Sequence, residues 1–418
     1  MVPTKSLRKI SFVGLGNIFN AGLGFLFLTA VARTLDLETF GKYALLSTLL
    51  LTISKIVDFG ANSVYVARSI KEQNAELSST LFTLKVLQFL VSVPVSLISL
   101  KLLNIFDGTT ATIFILGILA YTMNYLFYAY FQRAEKYAGM VLLNTIPQLV
   151  KGVFALLFFT AIVTPSLNLA FGVFSLTIFA GIFLYFFLPT ENKKFIFNFQ
   201  GVRKLFKESS PAGVSQIVYE SWGTLNNAIA KITKGFGDVG ILSLANKISN
   251  LFSLASLSVF AVLLPKNATR KLTGTNYDYK ETTLIAGGIL ALAVVAIAGS
   301  ELFITTIFGE KFSGSVKLLD ILILAAAVSA IHTFIENLFF VESKTGYIIA
   351  ATVVKLSAYG LTALILVPSL SLYGIAWSNL VSAIAGLVTV VYFISRFRGS
   401  PLPEQPGVLS GNHIPSEI

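Results

Sequence analysis

Long apolar stretches recur along the whole chain, each of about 20 residues and each bounded by charged or Pro/Gly-rich segments, and this repetition leaves few folds open. A helix needs roughly 20 mostly apolar residues to cross the hydrocarbon core of a bilayer. Only helices and closed barrels keep their backbone polar groups satisfied there. Stretches of this kind fall near 9–33, 41–64, 79–101, 111–132, 139–163, 167–188, 211–233, 239–263, 282–307, 317–340, 346–367 and 372–395. The pattern predicts an all-α integral membrane protein with twelve transmembrane helices. Charged residues make up 12% of the chain, about half the roughly 25% of ordinary soluble domains, so folding in water alone cannot hide the apolar surface.

The N-terminus superficially resembles a secretory signal, because Lys5, Arg8 and Lys9 precede an apolar stretch and Ala30-Val31-Ala32 has the form of a cleavage site. The stretch from Ile10 to Ala32 exceeds an h-region of roughly 7 to 15 residues, and Asn17 and Asn20 interrupt it. It reads as the first span.

Orientation follows from the basic residues. With both termini cytoplasmic, nineteen of the 31 Lys and Arg fall on the cytoplasmic side and seven on the other, a strong positive-inside bias that also supports an even number of spans. The segment 189–210 carries Lys193, Lys194, Arg203, Lys204 and Lys207 at the midpoint of the spans. It divides the chain into a six-helix bundle at 1–188, a basic cytoplasmic linker at 189–210 and a second six-helix bundle at 211–398, arranged around a central cavity. A Pro-, Gly- and Ser-rich tail at 399–418 is expected to be disordered. Weak similarity between Phe40–Leu45 and Val239–Leu244, and between Arg133–Tyr137 and Ser343–Tyr347, fits a duplication of the kind transporters use.

The five remaining cations, Lys55, Lys85, Lys151, Lys247 and Lys355, lie inside spans. A central Lys facing lipid costs about 2.5–3.5 kcal/mol, so these side chains must meet protein or water. Their helical neighbours are polar: Asn62 for Lys55, Gln88 and Ser92 for Lys85, Asn144 and Gln148 for Lys151, Asn250 for Lys247. Asn20, Gln88, Asn144, Gln148, Asn227 and Asn250 are therefore candidates to line a cavity around the lysines. The intramembrane acids are Asp58, Glu220, Asp320 and Glu336. Together with His332 they are the candidates for ion coupling. Simpler readings stand beside these: Lys55 and Asp58, three apart, suit an intrahelical ion pair, and His332 and Glu336, one turn apart, suit a structural hydrogen bond.

Five lysines against four deep acids leave cations without partners, which favours an anionic cargo and disfavours export of cationic drugs. An enzyme has little support. The chain has no cysteine, and G-x-S-x-G, P-loop, H-E-x-x-H and dinucleotide fingerprints are all absent. No cofactor or metal is expected. The net charge of +11 is scattered between apolar runs, so nucleic acid is not an expected partner.

The first loop, Arg33-Thr34-Leu35-Asp36-Leu37-Glu38-Thr39-Phe40-Gly41-Lys42-Tyr43, resembles the segment joining the first two helices of Wzx-type polysaccharide-unit flippases in the multidrug, oligosaccharidyl-lipid and polysaccharide (MOP) exporter superfamily. There the pattern is approximately R-x-L-G-P-E-x-[FY]-G-x-Y, followed by a helix ending in D-x-G, which Asp58-Phe59-Gly60 supplies. Asp36-Leu37 replaces Gly-Pro, which alters the local turn. Val239-Gly240 with Ala245-Asn246-Lys247, Pro265, and Gly309-Glu310-Lys311-Phe312 add weaker matches. The resemblance implies alternating-access translocation of an undecaprenyl-diphosphate-linked oligosaccharide across the bacterial inner membrane for O-antigen or other surface polysaccharide assembly. Implied partners are that lipid-linked substrate, membrane lipids, a polysaccharide polymerase and a chain-length regulator. Tyr128, Tyr219 and Trp222 are possible sugar contacts, although packing or interfacial anchoring explains each as well. The rival readings are an ion-coupled small-molecule exporter on the same architecture and a membrane enzyme of glycan assembly.

The topology makes a prediction. In this cysteine-free chain, single cysteines at Lys42 and Arg203 are expected to react with impermeant reagents from opposite sides of the membrane, with the Arg203 position labelled only from the cytoplasm. Labelling of both from one side refutes the arrangement.

Overall fold

The computed structural model describes residues 4–72, 76–193, 195–250, 279–341 and 346–397. The first helices are α1 (Thr4–Thr34), α2 (Leu37–Asp58), α3 (Ala61–Glu72), α4 (Glu76–Leu102), α5 (Gly108–Arg133), α6 (Tyr137–Phe159) and α7 (Leu167–Leu176), the last continued by a 3-10 helix, Thr177–Phe187. They are followed by α8 (Val202–Thr233), α9 (Phe236–Ser249), α10 (Tyr279–Ala298), α11 (Ser300–Phe308), α12 (Ser315–Val341), α13 (Gly346–Leu370) and α14 (Leu372–Phe397). Eight described helical segments are long and apolar enough to cross a membrane, and the bent pair Thr283–Ala298 with Ser300–Phe308 makes a ninth. α1, α8 and α9 stand where the first, seventh and eighth spans are expected. The second part of the eighth, and the tail at 399–418, lie outside the described residues.

Helix boundaries follow local chemistry. Asp36 and Asp107 are N-caps of α2 and α5 and accept hydrogen bonds from Thr39 N–H and from Thr109 and Thr110 N–H. Such caps satisfy amides that have no partner within the helix. The hydrogen bonds from Thr39 and Thr110 hold the two carboxyls below the usual carboxylate range. α8 begins at Val202, inside the expected linker, and runs through Pro211. Gly201, at φ 84°, turns the chain into the helix, and a membrane helix tolerates an internal proline when neighbours satisfy the freed groups.

The chain divides into two compact units. The first comprises residues 1–248, 296–320 and 366–375, and the second residues 249–295, 321–365 and 376–418. Within the first unit, α2 and α3 run antiparallel to α8, with contacts spread along their length. A Cβ on Gly41 would overlap the Phe236 carbonyl, one on Gly240 would lie 2.7 Å from Leu37 O, and one on Gly60 would lie 3.0 Å from Gly213 N. Backbones this close are a feature of membrane helix pairs, where small residues replace the hydrophobic driving force available in water. Thr52 Oγ1 donates to Glu220 O at 3.1 Å and lies 2.8 Å from Thr224 Oγ1. Asn227 Nδ2 donates to Thr48 Oγ1 at 3.2 Å.

The two ends of this helix pair collect the loop cations. At one end Arg68 meets Glu208 at 3.4 Å, Arg133 meets Glu191 at 3.3 Å and Phe59 stacks on Phe206 at 5.0 Å. At the other, Lys311 Nζ donates to Arg33 O at 2.9 Å and Leu35 O at 2.5 Å, while Phe40 meets Phe312 edge-on at 5.2 Å. α1 and α6 form a second close pair, with Gly16 against Val141, Gly24 against Gln148 and Gly152 against Leu23. The second unit contains most of α10, α12, α13 and α14 and has a smaller core around Phe339, Ala351 and Val390, onto which Tyr347 and Phe393 pack.

Glycine positions give a stability prediction. Gly41→Leu is expected to part α2 from α9 and lower the melting temperature of the detergent-solubilised protein, with a cost on the scale of overpacking, about 1–3 kcal/mol or more. Gly360→Ala, where nothing lies within 4 Å of the new Cβ, is expected to leave it unchanged or raise it slightly. Equal melting of both variants contradicts the close approach.

Candidate functional site

Four of the five intramembrane lysines converge in the first unit, and the helix break at Phe59-Gly60 explains the first. Phe59 and Gly60 both adopt positive φ, 41° and 68°, so α2 stops within the apolar segment Leu37–Ser69 and its last carbonyls lose their helical partners. Lys85, on α4 and 0% exposed, fills that gap. Its Nζ donates to Val57 O at 2.9 Å and Asp58 O at 3.1 Å and lies 3.3 Å from Asp58 Oδ1. A cation at a helix C-terminus also meets the negative end of the helix dipole. Asp58 thus pairs with Lys85.

The other three lie over aromatic rings. Lys55 Nζ is 5.3 Å from the centre of the Tyr125 ring, whose other neighbour is Lys85 Nζ at 5.7 Å. Tyr125 is fixed by its hydroxyl, 3.1 Å from Ser54 Oγ, and by its carbonyl, which accepts from Asn62 Nδ2 at 2.9 Å. Lys151, 5% exposed, sits 4.7 Å over Phe174. Lys247 lies 5.5 Å over Tyr43 and 3.4 Å from Ser47 Oγ. Phe174 and Tyr43 meet edge-on at 6.0 Å, so Lys151 and Lys247 stand over two adjoining rings and act on each other electrostatically. Among the described residues neither has a carboxylate within ion-pair distance. Tyr121 joins the two groups, with its ring 5.8 Å from Tyr125 and Tyr43 among its electrostatic neighbours. Glu220 is an acidic neighbour of both Tyr121 and Tyr125, and Asp58 is a second one of Tyr125.

Cation–π contacts contribute about 0.5 kcal/mol at exposed sites and about 2 kcal/mol or more when desolvated, and they leave an ammonium's donors open. The row of Lys55, Tyr125, Tyr121, Tyr43, Phe174, Lys151 and Lys247 can therefore receive an anion, with aromatic faces beside it for an apolar or sugar surface.

The remaining expected residues are dispersed. Gln88 is 5% exposed with neither amide atom hydrogen-bonded. Asn20 Oδ1 and Gln148 Oε1, on the paired helices α1 and α6, are buried without partners, as is Asn227 Oδ1. Asn144 is half-buried and Asn250 exposed. Asp320 accepts from Ser300 Oγ at 2.7 Å. Lys355 lies in the second unit, away from the other lysines in the chain's division. There the space left by Gly386 admits both its side chain and the His332 ring, and Glu336 is its acidic neighbour. His332 is buried with neither ring nitrogen hydrogen-bonded. Tyr128 packs on the core that includes Phe127 and Tyr130, and Tyr219 is exposed.

Sequence reasoning missed Tyr43, Tyr121, Tyr125 and Phe174. The spacing of Tyr121 and Tyr125, one helical turn apart, was the available signal.

Residues 6–269 match the family model described as "Polysaccharide biosynthesis protein". The chain belongs to this family. The polysaccharide biosynthesis family match covers all four converging lysines. A Haloferax volcanii protein named "Probable low-salt glycan biosynthesis flippase Agl15" is 25% identical over 410 residues, covering 92% of this chain and 82% of its own. The solved structure "Lipid II flippase MurJ, inward closed conformation" superposes with a TM-score of 0.75 at 15% identity, over 92% of this chain and 87% of its own. An inward-facing multidrug resistance MATE family transporter of the MOP superfamily gives 0.69 at 14% identity, over 91% and 96%. The fold is thus of the expected class, an all-α membrane protein with eight or nine of the twelve expected spans among the described residues, and the resemblance to a polysaccharide family drawn from the first loop holds. The relative and the solved structures are named as flippases and transporters, not as catalysts.

The two classes of lysine predict different phenotypes. Lys85→Met leaves two carbonyls and a carboxylate without their cation and is expected to cost about 3–5 kcal/mol, the scale of a broken buried pair, seen as loss of folded protein in the membrane. Lys151→Met removes a buried charge that has no ion pair among the described residues and is expected to leave folded yield at or above wild type. The reverse pattern refutes the assignment.

Proposed function

We propose that this protein is a flippase carrying a lipid-linked oligosaccharide across the bacterial cytoplasmic membrane, with a diphosphate on an undecaprenyl carrier as the anionic group held by the lysines. The observation that carries this reading is the pair Lys151 and Lys247, two ammonium groups over adjoining rings with no carboxylate in ion-pair distance among the described residues. A diphosphate bridging two such groups gains charge-assisted hydrogen bonds, worth roughly twice neutral ones. The tyrosines suit the first sugar, and the lipid tail stays in the bilayer. Family membership and the glycan flippase relative support the substrate class. Both termini are placed in the cytoplasm, the halves 1–188 and 211–398 alternate access to a central cavity, and O-antigen or another surface polysaccharide is the product pathway, with a polymerase and a chain-length regulator downstream.

His332, Glu336 and Lys355 form the charged group of the second unit, and in this reading they exchange the coupling ion while Lys355 neutralises Glu336. An ion-coupled small-molecule exporter would also use such a group. The surplus of lysine in the first unit favours the larger anionic substrate.

Proteoliposomes loaded with a fluorescent lipid-diphosphate saccharide test the reading. Lys151→Glu and Lys247→Glu are each expected to lower translocation about 10- to 100-fold, the equivalent of losing one charge-assisted bond of roughly 1.5–3 kcal/mol, with insertion unchanged. Glu336→Gln is expected to abolish the dependence of transport on an imposed ion gradient. Full translocation by both lysine variants refutes the anion site.

A further inference from the structure

The basic segment between the two halves is not a loose tether. Asn192 Nδ2 donates to Ser78 Oγ at 2.8 Å, Asn198 N–H to Thr83 Oγ1 at 2.8 Å, and Thr80 Oγ1 to Gln200 O at 3.1 Å. Lys193 and Lys136 cap the end of the 3-10 helix, donating to Phe186 O at 2.8 Å and Phe187 O at 2.9 Å. These bonds fix the segment to α4 and the 3-10 helix. Its rings form a continuous line: Tyr185 to Phe195 at 5.8 Å, Phe195 to Phe82 at 5.2 Å, Phe82 to Phe197 at 5.2 Å and Phe197 to Phe199 at 6.3 Å. Although pinned, the line turns apolar surface outward, with Phe197 57% and Phe199 65% exposed.

Charge is unbalanced beside these rings. Arg203, Lys204 and Lys207, on the first turns of α8, are exposed. The nearby acids are engaged elsewhere, Glu191 with Arg133 and Glu208 with Arg68. Rigidly held aromatic rings beside exposed cations that have no ion pair among the described residues match the chemistry of the headgroup region, where rings sit at the apolar boundary and Lys and Arg meet acidic lipid.

We propose that segment 195–207 is an interfacial anchor that inserts Phe197 and Phe199 into the leaflet and binds acidic phospholipid headgroups through Arg203, Lys204 and Lys207. The site is separate from the lysines of the membrane interior, so it stands whether or not the flippase reading does. Holding the linker at the membrane surface fixes the depth at which α8 enters the bilayer.

The test uses the full-length chain in nanodiscs of phosphatidylcholine with and without phosphatidylglycerol. An environment-sensitive fluorophore on Phe197→Cys, the single cysteine, is expected to be quenched by lipids brominated near the headgroup end of the acyl chains. In native mass spectrometry, R203Q/K204Q/K207Q is expected to lose phosphatidylglycerol adducts at least tenfold, since each cation near an acidic surface is worth roughly fivefold, while phosphatidylcholine adducts are unchanged. Millimolar inorganic phosphate is expected not to displace the lipid. An unquenched fluorophore, unchanged phosphatidylglycerol retention or displacement by phosphate overturns the proposal, the last by indicating a free-anion site. The quenching arm uses wild-type charges, so misfolding of the triple variant cannot decide the outcome.

Discussion

A helix interrupted inside a membrane must find new partners for its freed carbonyls, because no bulk water reaches them. The break after Asp58 meets that requirement with one side chain, Lys85, which binds two backbone carbonyls and a carboxylate at once. Much of the first unit depends on this solution. The break lets Gly60 approach Gly213, and the chain then continues as α3 along α8 as far as the Arg68–Glu208 pair. The same α2–α8 contact sets Thr52 against Glu220 and Thr224, and Thr48 against Asn227. The D-x-G ending noticed in the sequence is therefore a structural joint whose lock lies on a different helix.

With Lys85 engaged, the other lysines differ from it in kind. A carboxylate partner neutralises an ammonium and occupies its donors. An aromatic face offsets part of the desolvation cost while leaving the donors directed elsewhere. Lys151 and Lys247 are held in the second way, so an arriving anion need not displace an existing ion pair. The tyrosines of the row supply that partial offset and keep the ammonium groups at fixed spacing. Glu220, beside Tyr121 and Tyr125, limits how positive the row becomes.

The spans were legible because hydropathy alone determines them; helices α4 to α6 and α12 to α14 start within a few residues of the expected limits. The start of α8 was not, since its first turns are basic and carry Pro211, and a polar helix outside the core resembles a loop in composition. The need for intramembrane lysines to have partners was also legible, from cost alone. Which partner each takes was not. Lys55 and Asp58 are three apart and suit an ion pair, yet Asp58 faces Lys85, 27 residues further along the chain, because the break at Phe59 reorients the end of the helix. Lys355 looked like its four counterparts in composition, but its surroundings depend on Gly386, which belongs to a different helix. The aromatic row escaped notice for the same reason. A tyrosine in an apolar span is indistinguishable from packing until the cation above it is placed.

The α2–α8 pair is closed at its two ends by unlike contacts, and this bears on how the proposed alternation of access begins. At the Arg68 end the closure consists of a partly exposed ion pair, one stacked ring pair and the close backbone approach of Gly60 to Gly213, the first two contributing about 0–1 and 0.5–1.5 kcal/mol respectively. At the other end α2 meets the start of α9, where the backbones of Gly41 and Gly240 approach directly, and Lys311 grips two carbonyls of the first loop. Separating that end exposes carbonyls as well as side chains, and a polar group left unsatisfied out of water costs about 1–3 kcal/mol. What distinguishes the ends is the lysine: only at the second does a cation, Lys311, bind backbone carbonyls of the loop, and the short motif of the first loop, Phe40-Gly41-Lys42-Tyr43, belongs to that end. Its glycine permits the backbone contact, its phenylalanine packs on Phe312, and its tyrosine carries Lys247. The residues that close one end of the pair are therefore continuous with those that hold the site, and displacing either displaces the other.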